Sequence, residues 1–252
     1  MRWKLLATGL GAYVIALIAT APATLIDAVL QGTADGKVRL AEPKGTLWSG
    51  SGQLELLDAG RRRGIASRIT WHVRPLALLH GNLVCEVGLD PASKPFPITI
   101  SFSHIEFAGA SLSLPAGVLS LAVPRLAPLG LTGGLTIQVA NLSIARNGME
   151  GSATLQWRSA GSAMTPVSPL GDYAVQFKAV GPSVHAEFST LKGPLQIDGK
   201  GSWSRGAPPS FLGTARVPEQ YREQLAPLLR LIAVERGAGR FDLSSNSPGF
   251  GQ

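Results

Sequence analysis

The stretch Ser67-Arg-Ile-Thr-Trp-His-Val-Arg74 decides the fold class, because its apolar and polar residues alternate with period two. Ile69, Trp71 and Val73 fall on one face of an extended strand, and the residues between them are polar. A strand with this pattern covers a core with one face and meets water with the other. The stretch therefore predicts a half-buried antiparallel strand.

Further stretches along the chain predict strands, and several of them show the same alternation. These strands are predicted at about 37–40, 53–56, 83–87, 98–102, 135–139, 151–158, 173–177, 184–188, 195–203 and 240–243. Turns between them are supplied by 30 Gly and 18 Pro, which favours many short strands over a helical bundle. In the 195–203 stretch, Gly199 and Gly201 share a face with Trp203, whose ring can cover them. We expect a curved, repeated antiparallel sheet.

One helix is predicted after the sheet, from about 218 to 233. Pro218 suits its first position, and Tyr221, Leu225 and Leu229 recur at spacings that form one apolar face. Pro227 lies inside the pattern and is expected to kink or divide the helix. The chain is thus mainly β with one C-terminal helix.

The N-terminal run LLATGLGAYVIALIATAPATLI, residues 5–26, contains no charged residue. About 20 apolar residues are enough to cross a hydrocarbon layer of ~30 Å as a helix. Arg2 and Lys4 precede the run, which predicts a cytoplasmic N-terminus. Residues 1–30 are then a cytoplasmic tip with a transmembrane signal anchor, and residues 31–252 are an exported β-rich domain.

A cleaved signal peptide is the alternative interpretation of the same run. Small residues at Ala19-Thr20-Ala21 or Ala21-Pro22-Ala23 offer cleavage sites of the expected kind. The apolar character continues to Val29 and Leu30, which favours an uncleaved anchor. Both interpretations export the same domain.

The net charge is +7, and without Arg2 and Lys4 the exported part has 21 basic against 16 acidic residues, or +5. This positive excess fits contact with anionic headgroups or acidic partners outside the cytoplasmic membrane. Arg61, Arg62 and Arg63 form its densest cluster, between two glycines. They mark either a solvated hairpin tip or a contact for lipid headgroups or an acidic partner. No zinc finger, basic helix or aromatic RNA-binding signature is present, so nucleic acid is not an expected partner.

The sequence assembles no catalytic, cofactor-binding or metal-binding motif. Cys85 is the single cysteine, which excludes an intrachain disulfide, and its alternating surroundings indicate a structural thiol on a strand. The four histidines are scattered without zinc-ligand spacing. An enzyme is therefore not expected, and neither is a cofactor.

Four tryptophans, Trp48, Trp71, Trp157 and Trp203, fall on predicted strands or their ends, each near a glycine. They either pack in the core or line a groove that receives lipid or a peptide strand. Trp3 is expected at the membrane interface, where amphipathic rings collect.

The order of the motifs resembles the type II secretion system protein N family, also called general secretion pathway protein N. After the apolar anchor, the motifs that carry the resemblance are Gly45-Thr-Leu-Trp-Ser-Gly50, Ile69-Thr-Trp-His-Val-Arg-Pro-Leu-Ala-Leu-Leu-His-Gly81, Trp157-Arg158, Leu170-Gly-Asp-Tyr173, the glycine–tryptophan strand 193–203 and the helix around 225–232. The resemblance spans nearly the whole chain.

This resemblance implies a single-pass inner-membrane protein of Gram-negative bacteria with a periplasmic β-rich domain. It implies an accessory or assembly role, without catalysis, in a machine that exports folded proteins across the outer membrane. The implied partners are other secretion components and the inner membrane. The expected sheet also resembles the AsmA-type lipid-transfer proteins, which makes a lipid-binding groove, with Trp71, Trp157 and Trp203 among its lining, the alternative function.

Overall fold

The computed structural model describes residues 2–33, 38–57, 64–89, 94–237 and 239–244. The chain folds as two compact units, unit 1 from residue 1 to 102 and unit 2 from residue 103 to 252. The described residues contain fourteen strands, and the strand pairs within each unit are antiparallel. The prediction of a mainly β fold is confirmed.

Unit 1 begins with two helices and continues as a five-stranded meander. The elements are α1 (Arg2–Ala19), α2 (Thr24–Thr33), β1 (Val38–Gly45), β2 (Ser49–Leu57), β3 (Gly64–Arg74), β4 (Leu83–Leu89) and β5 (Phe96–Ile100). Each strand pairs with the next one along the chain. A 3₁₀ helix, Pro75–His80, joins β3 to β4 and ends at Gly81, whose φ of 74° is the left-handed conformation that glycine tolerates.

The expected single helix through residues 5–26 is wrong, because α1 ends at Ala19 and α2 begins at Thr24. Pro22 lies between them, has no N–H for a helical hydrogen bond, and forms an isolated β-bridge with Thr46. In the part of the chain that the structure describes, no helix is both long and apolar enough to cross a membrane.

The strand predicted at Ser67–Arg74 is confirmed as the second half of β3. Trp71 and Val73 are buried and His72 is exposed, as the alternation requires. Trp71 forms the core of unit 1 with Ala23 and Leu40.

Unit 2 is a nine-stranded sheet in its described residues. Its elements are β6 (His104–Pro115), α3 (Val118–Ala122), β7 (Leu131–Ala145), β8 (Gly148–Ser162), β9 (Gly171–Gly181), β10 (Ser183–Lys192), β11 (Gln196–Ser204), β12 (Ser210–Arg216), α4 (Arg222–Ile232), β13 (Val234–Gly237) and β14 (Arg240–Ser244). The strands lie side by side in chain order up to β12, after which β14 precedes β13.

Helix α4 confirms the C-terminal helix, although a 3₁₀ turn at Glu219–Tyr221 comes first. Leu225 and Leu229 on its apolar face are fully buried. Pro227 lies within α4, and the residues on both sides of it are helical, so the expected division of the helix does not occur. The packing of the two leucines holds the turn on each side of the proline in place.

Candidate functional site

A short turn joins β1 to β2, and we call its residues, Gly45–Gly50, the Trp48 turn. Gly45 has a φ of 95°, which favours glycine. The Thr46 hydroxyl oxygen accepts hydrogen bonds from the backbone N–H groups of Trp48 at 3.3 Å and Ser49 at 3.2 Å. The structure thus places a hairpin turn here, closed by a threonine side chain.

The Trp48 turn binds the end of α1. The Trp48 indole N–H donates to the Ile18 carbonyl at 2.8 Å, and the Leu47 N–H donates to the Ala21 carbonyl at 2.8 Å. The Ile18 carbonyl is one of the last four of α1, which have no partner within the helix, and it also accepts the Ala21 N–H at 3.3 Å. The Ala23 N–H donates back to Gly45 O at 3.2 Å.

Trp71 supports the same turn from the sheet. Its indole N–H donates to the Thr46 carbonyl at 3.1 Å, and its ring lies against Gly50, where a Cβ would collide with it. The Trp71 ring is 7% exposed. Trp48, Trp71, Gly45 and Gly50 therefore act together to join α1 to the sheet.

Helix α2 packs along β1, the first strand of the meander. Ile26 and Leu30 contact the core around Leu40, and the Asp27 carboxylate accepts the Leu40 N–H at 2.9 Å. Among the described strands, β1 has β2 as its single neighbour, so that N–H lies on an edge strand. Sequence reasoning missed α2, since polar residues follow Leu30 and no cap signal stands out.

In unit 2, apolar residues of neighbouring strands lie side by side on one surface, which we call the apolar face. Leu155 pairs with Val175, and Val175 pairs with Phe188. The face consists of Leu135, Ile137, Val139, Ala153, Leu155, Trp157, Tyr173, Val175, Phe177, Val184, Ala186, Phe188, Trp203 and Phe211. It is a continuous apolar surface across six strands, from β7 to β12.

Aromatic rings close this surface where glycines interrupt it. A Cβ built on Gly201 would lie 3.1 Å from the Trp203 ring, and one on Gly199 would lie 2.8 Å from the Phe211 ring. The predicted covering of Gly201 by Trp203 is confirmed. Phe211, which the sequence did not single out, covers Gly199.

Helix α4 covers the apolar face at one end of the strands. Its Leu225, Leu228 and Leu229 pack with Leu195 and Phe241 in the main core of unit 2. In the part described, that core does not extend to the middle of the strands. There Leu155, Val175, Phe177 and Phe188 are half-buried, shielded by each other across the sheet.

The opposite surface of the sheet is polar. Gln176, Glu187 and Lys200 are paired in register there, and the Lys200 ammonium lies 3.2 Å from the Glu187 carboxylate. Both side chains are mostly exposed, so the ion pair adds little stability. An open depression of about 730 Å³ lies over this surface near Asp242. The depression carries side chains of both charge signs that pair with each other, and their arrangement does not indicate a particular ligand.

The described residues contain no cluster of His, Cys, Asp and Glu that could hold a metal ion. Burial raises the pKa of the Cys85 thiol, and Glu86 acts in the same direction, which keeps the thiol neutral and unreactive. Burial likewise raises the pKa of Tyr173, whose hydroxyl donates to Leu195 O at 2.9 Å. The surroundings of Cys85 and Tyr173 therefore indicate a structural role for both side chains.

The four predicted tryptophans separate into different roles. Trp71 is core and Trp48 binds α1, so neither lines a groove in unit 1. Trp157 and Trp203 both lie on the apolar face, where Trp203 is 40% exposed. The Trp157 indole donates to Thr132 O at 2.9 Å. Arg61, Arg62 and Arg63 lie outside the described residues, and their proposed contact with anionic partners stays a prediction.

These features define a mainly β protein of antiparallel strands with one C-terminal helix packed on the sheet. The family model for type II secretion system (T2SS), protein N, matches residues 36–244, and the chain belongs to this family. Comparisons with curated proteins and with solved structures gave no match. The chain is therefore a component of the type II secretion system, and the predicted resemblance is confirmed.

Replacing Gly50 by alanine tests the Trp48 turn. The new methyl group collides with the Trp71 ring and with Lys44 O, so we expect a loss of about 1–3 kcal/mol in the free energy of unfolding. The measurement is chemical denaturation of the purified chain, followed by circular dichroism. Gly134→Ala is the matched control, since a Cβ there meets no atom within 4 Å. Equal stability of the two variants would contradict the proposed contact.

Proposed function

We propose that this protein is an accessory assembly component of the type II secretion system at the inner membrane. Its sheet serves as a scaffold for other components during export of folded proteins across the outer membrane. The observation that carries the proposal is the apolar face, which continues over six strands while α4 covers one end of it. Most side chains of this face are half-buried and Trp203 is 40% exposed, and a partly exposed apolar surface of this extent is typical of interaction sites.

The inner-membrane location rests on the N-terminal segment. Residues 5–26 carry no charge, and Arg2 and Lys4 precede them. The described apolar side chains of α1, including Leu10 and Tyr13, are exposed. We propose that this N-terminal segment is a single-pass anchor, with a cytoplasmic N-terminus and residues from 31 onward in the periplasm.

Alkaline carbonate extraction of bacterial membranes tests the anchor. We expect the intact chain, with its N-terminus detected by mass spectrometry, to stay in the membrane pellet. A peripheral control protein should be released under the same conditions. A soluble periplasmic chain that begins at Pro22 or Thr24 would show that the segment is a cleaved signal peptide.

Contact through the apolar face fits the structure better than pairing at strand edges. Helix α2 lies along β1, with Asp27 bonded to Leu40 N. The other terminal strand, β13, has four residues, among them Glu235 and Arg236. A covered strand and a short charged one both discourage the addition of a further strand.

Replacing Trp203 by glutamate tests the role of the apolar face. A charge there must be desolvated when a partner binds, so we expect the secreted exoprotein to fall toward the level of a deletion strain. The measurement is the amount of exoprotein in the medium relative to the periplasm. Val180→Glu is the matched control, because Val180 is 54% exposed on the opposite face of β9.

If deletion of the gene impairs secretion but the Trp203→Glu variant secretes normally, the apolar face is not needed for secretion and that part of the proposal is wrong. Unchanged secretion in the deletion strain itself would count against the secretion role as a whole. Equal loss with Val180→Glu would indicate general destabilisation, which a comparison of protein levels detects.

Lipid binding on the same face is the second candidate function. The half-buried Phe177 and Phe188 and the exposed Trp203 favour it, because acyl chains need an apolar surface without a second protein layer. Native mass spectrometry of the purified chain distinguishes the candidates. A phospholipid adduct that Trp203→Glu loses and Val180→Glu keeps would support lipid binding, and a lipid-free chain would exclude it.

A further inference from the structure

One end of the unit 1 sheet gathers features from separate parts of the chain. β1 ends at Gly45, at the start of the Trp48 turn. The Val73 N–H donates to the carbonyl of Trp48 in that turn, so the end of β3 at Arg74 lies at the same end of the sheet. Arg74 pairs with Val84, and Leu83 pairs with Ile100 at the end of β5. The antiparallel register therefore brings the Trp48 turn, the 3₁₀ helix Pro75–His80 and the end of β5 to the same end.

Exposed apolar side chains concentrate at this end, and we call Leu76, Leu78, Ile100 and Phe102 the Leu76 patch. Leu76 is 75% exposed, Leu78 is 45%, Ile100 is 39% and Phe102 is 96%. The Phe102 ring lies beside Gly81, where a Cβ would meet it at 3.3 Å. Two elements thus present large apolar groups to solvent around one glycine, which is costly unless a partner covers them.

The occupant follows from where α1 is attached. The Trp48 indole holds the Ile18 carbonyl at the last turn of α1, so this helix ends at the end of the sheet that carries the Leu76 patch. Exposed Lys44 and Arg74 flank the same end, and Arg74 is paired with Glu86. Apolar side chains beside basic ones fit the boundary between acyl chains and anionic headgroups.

We propose that the Leu76 patch is a second membrane contact, which inserts into the periplasmic leaflet beside α1. This inference rests on the membrane location proposed above. One helix alone leaves the helix and the unit joined to it free to rotate about the helix axis and to tilt in the bilayer. A helix and an inserted patch at the same end hold unit 1 in one orientation, with β1–β5 directed away from the bilayer.

The test uses the full chain with Cys85→Ser and one new cysteine, Leu76→Cys or Phe102→Cys, labelled with an NBD fluorophore. Leu212→Cys is the matched control, since Leu212 is 72% exposed on the polar surface of unit 2. The chain is reconstituted in phosphatidylethanolamine–phosphatidylglycerol vesicles, and flotation is measured first. We expect labels at 76 and 102 to shift to the blue and to be quenched by nitroxide lipids, while the label at 212 is quenched by aqueous iodide.

Labels at 76 and 102 that respond to iodide like the label at 212, in a chain that floats with the vesicles, would overturn the second contact and leave the anchor intact. A chain that does not float would overturn the membrane location and the second contact with it. Circular dichroism matching the unlabelled chain verifies folding, which substitution of such exposed side chains should leave unchanged.

Discussion

The sheet of unit 2 has two faces, and one eleven-residue helix packs on its apolar one. Leu225 and Leu229 of α4 are fully buried at one end of the strands. One face of an antiparallel sheet can lie in water when that face is polar. In unit 2, the face opposite the apolar face is polar and can lie in water. The apolar face beyond α4 is the part of the molecule through which we propose that it binds a partner.

The two units cover their apolar side chains in different ways. In unit 1, α2 places Ile26 and Leu30 on the core around Trp71, so the tryptophan is buried. In unit 2, Trp203 covers the backbone of its own strand at Gly201 and stays 40% exposed. One tryptophan stabilises a core and the other extends an exposed apolar surface. Residue type alone does not distinguish these uses.

The hydrogen bond from Trp48 to Ile18 joins α1 to the sheet of unit 1. A flexible linker would separate the position of the helix from that of the sheet. Backbone bonds at Leu47 and Ala23 remove that freedom over the few residues between α1 and α2. The proposed tethering therefore includes the orientation of unit 1 relative to α1.

Local patterns in the sequence determined the strands, the C-terminal helix and the family. Alternation at Ser67–Arg74 reflects backbone geometry within a few residues, so it could be recognised without knowing any partner. Tertiary structure alone decided that the Trp48 turn holds α1, that α2 covers β1, and that Trp157 and Trp203 share one surface while Trp71 is buried. Trp48 and Ile18 are 30 residues apart, and a contact between distant residues depends on the whole path of the chain, which no local periodicity contains.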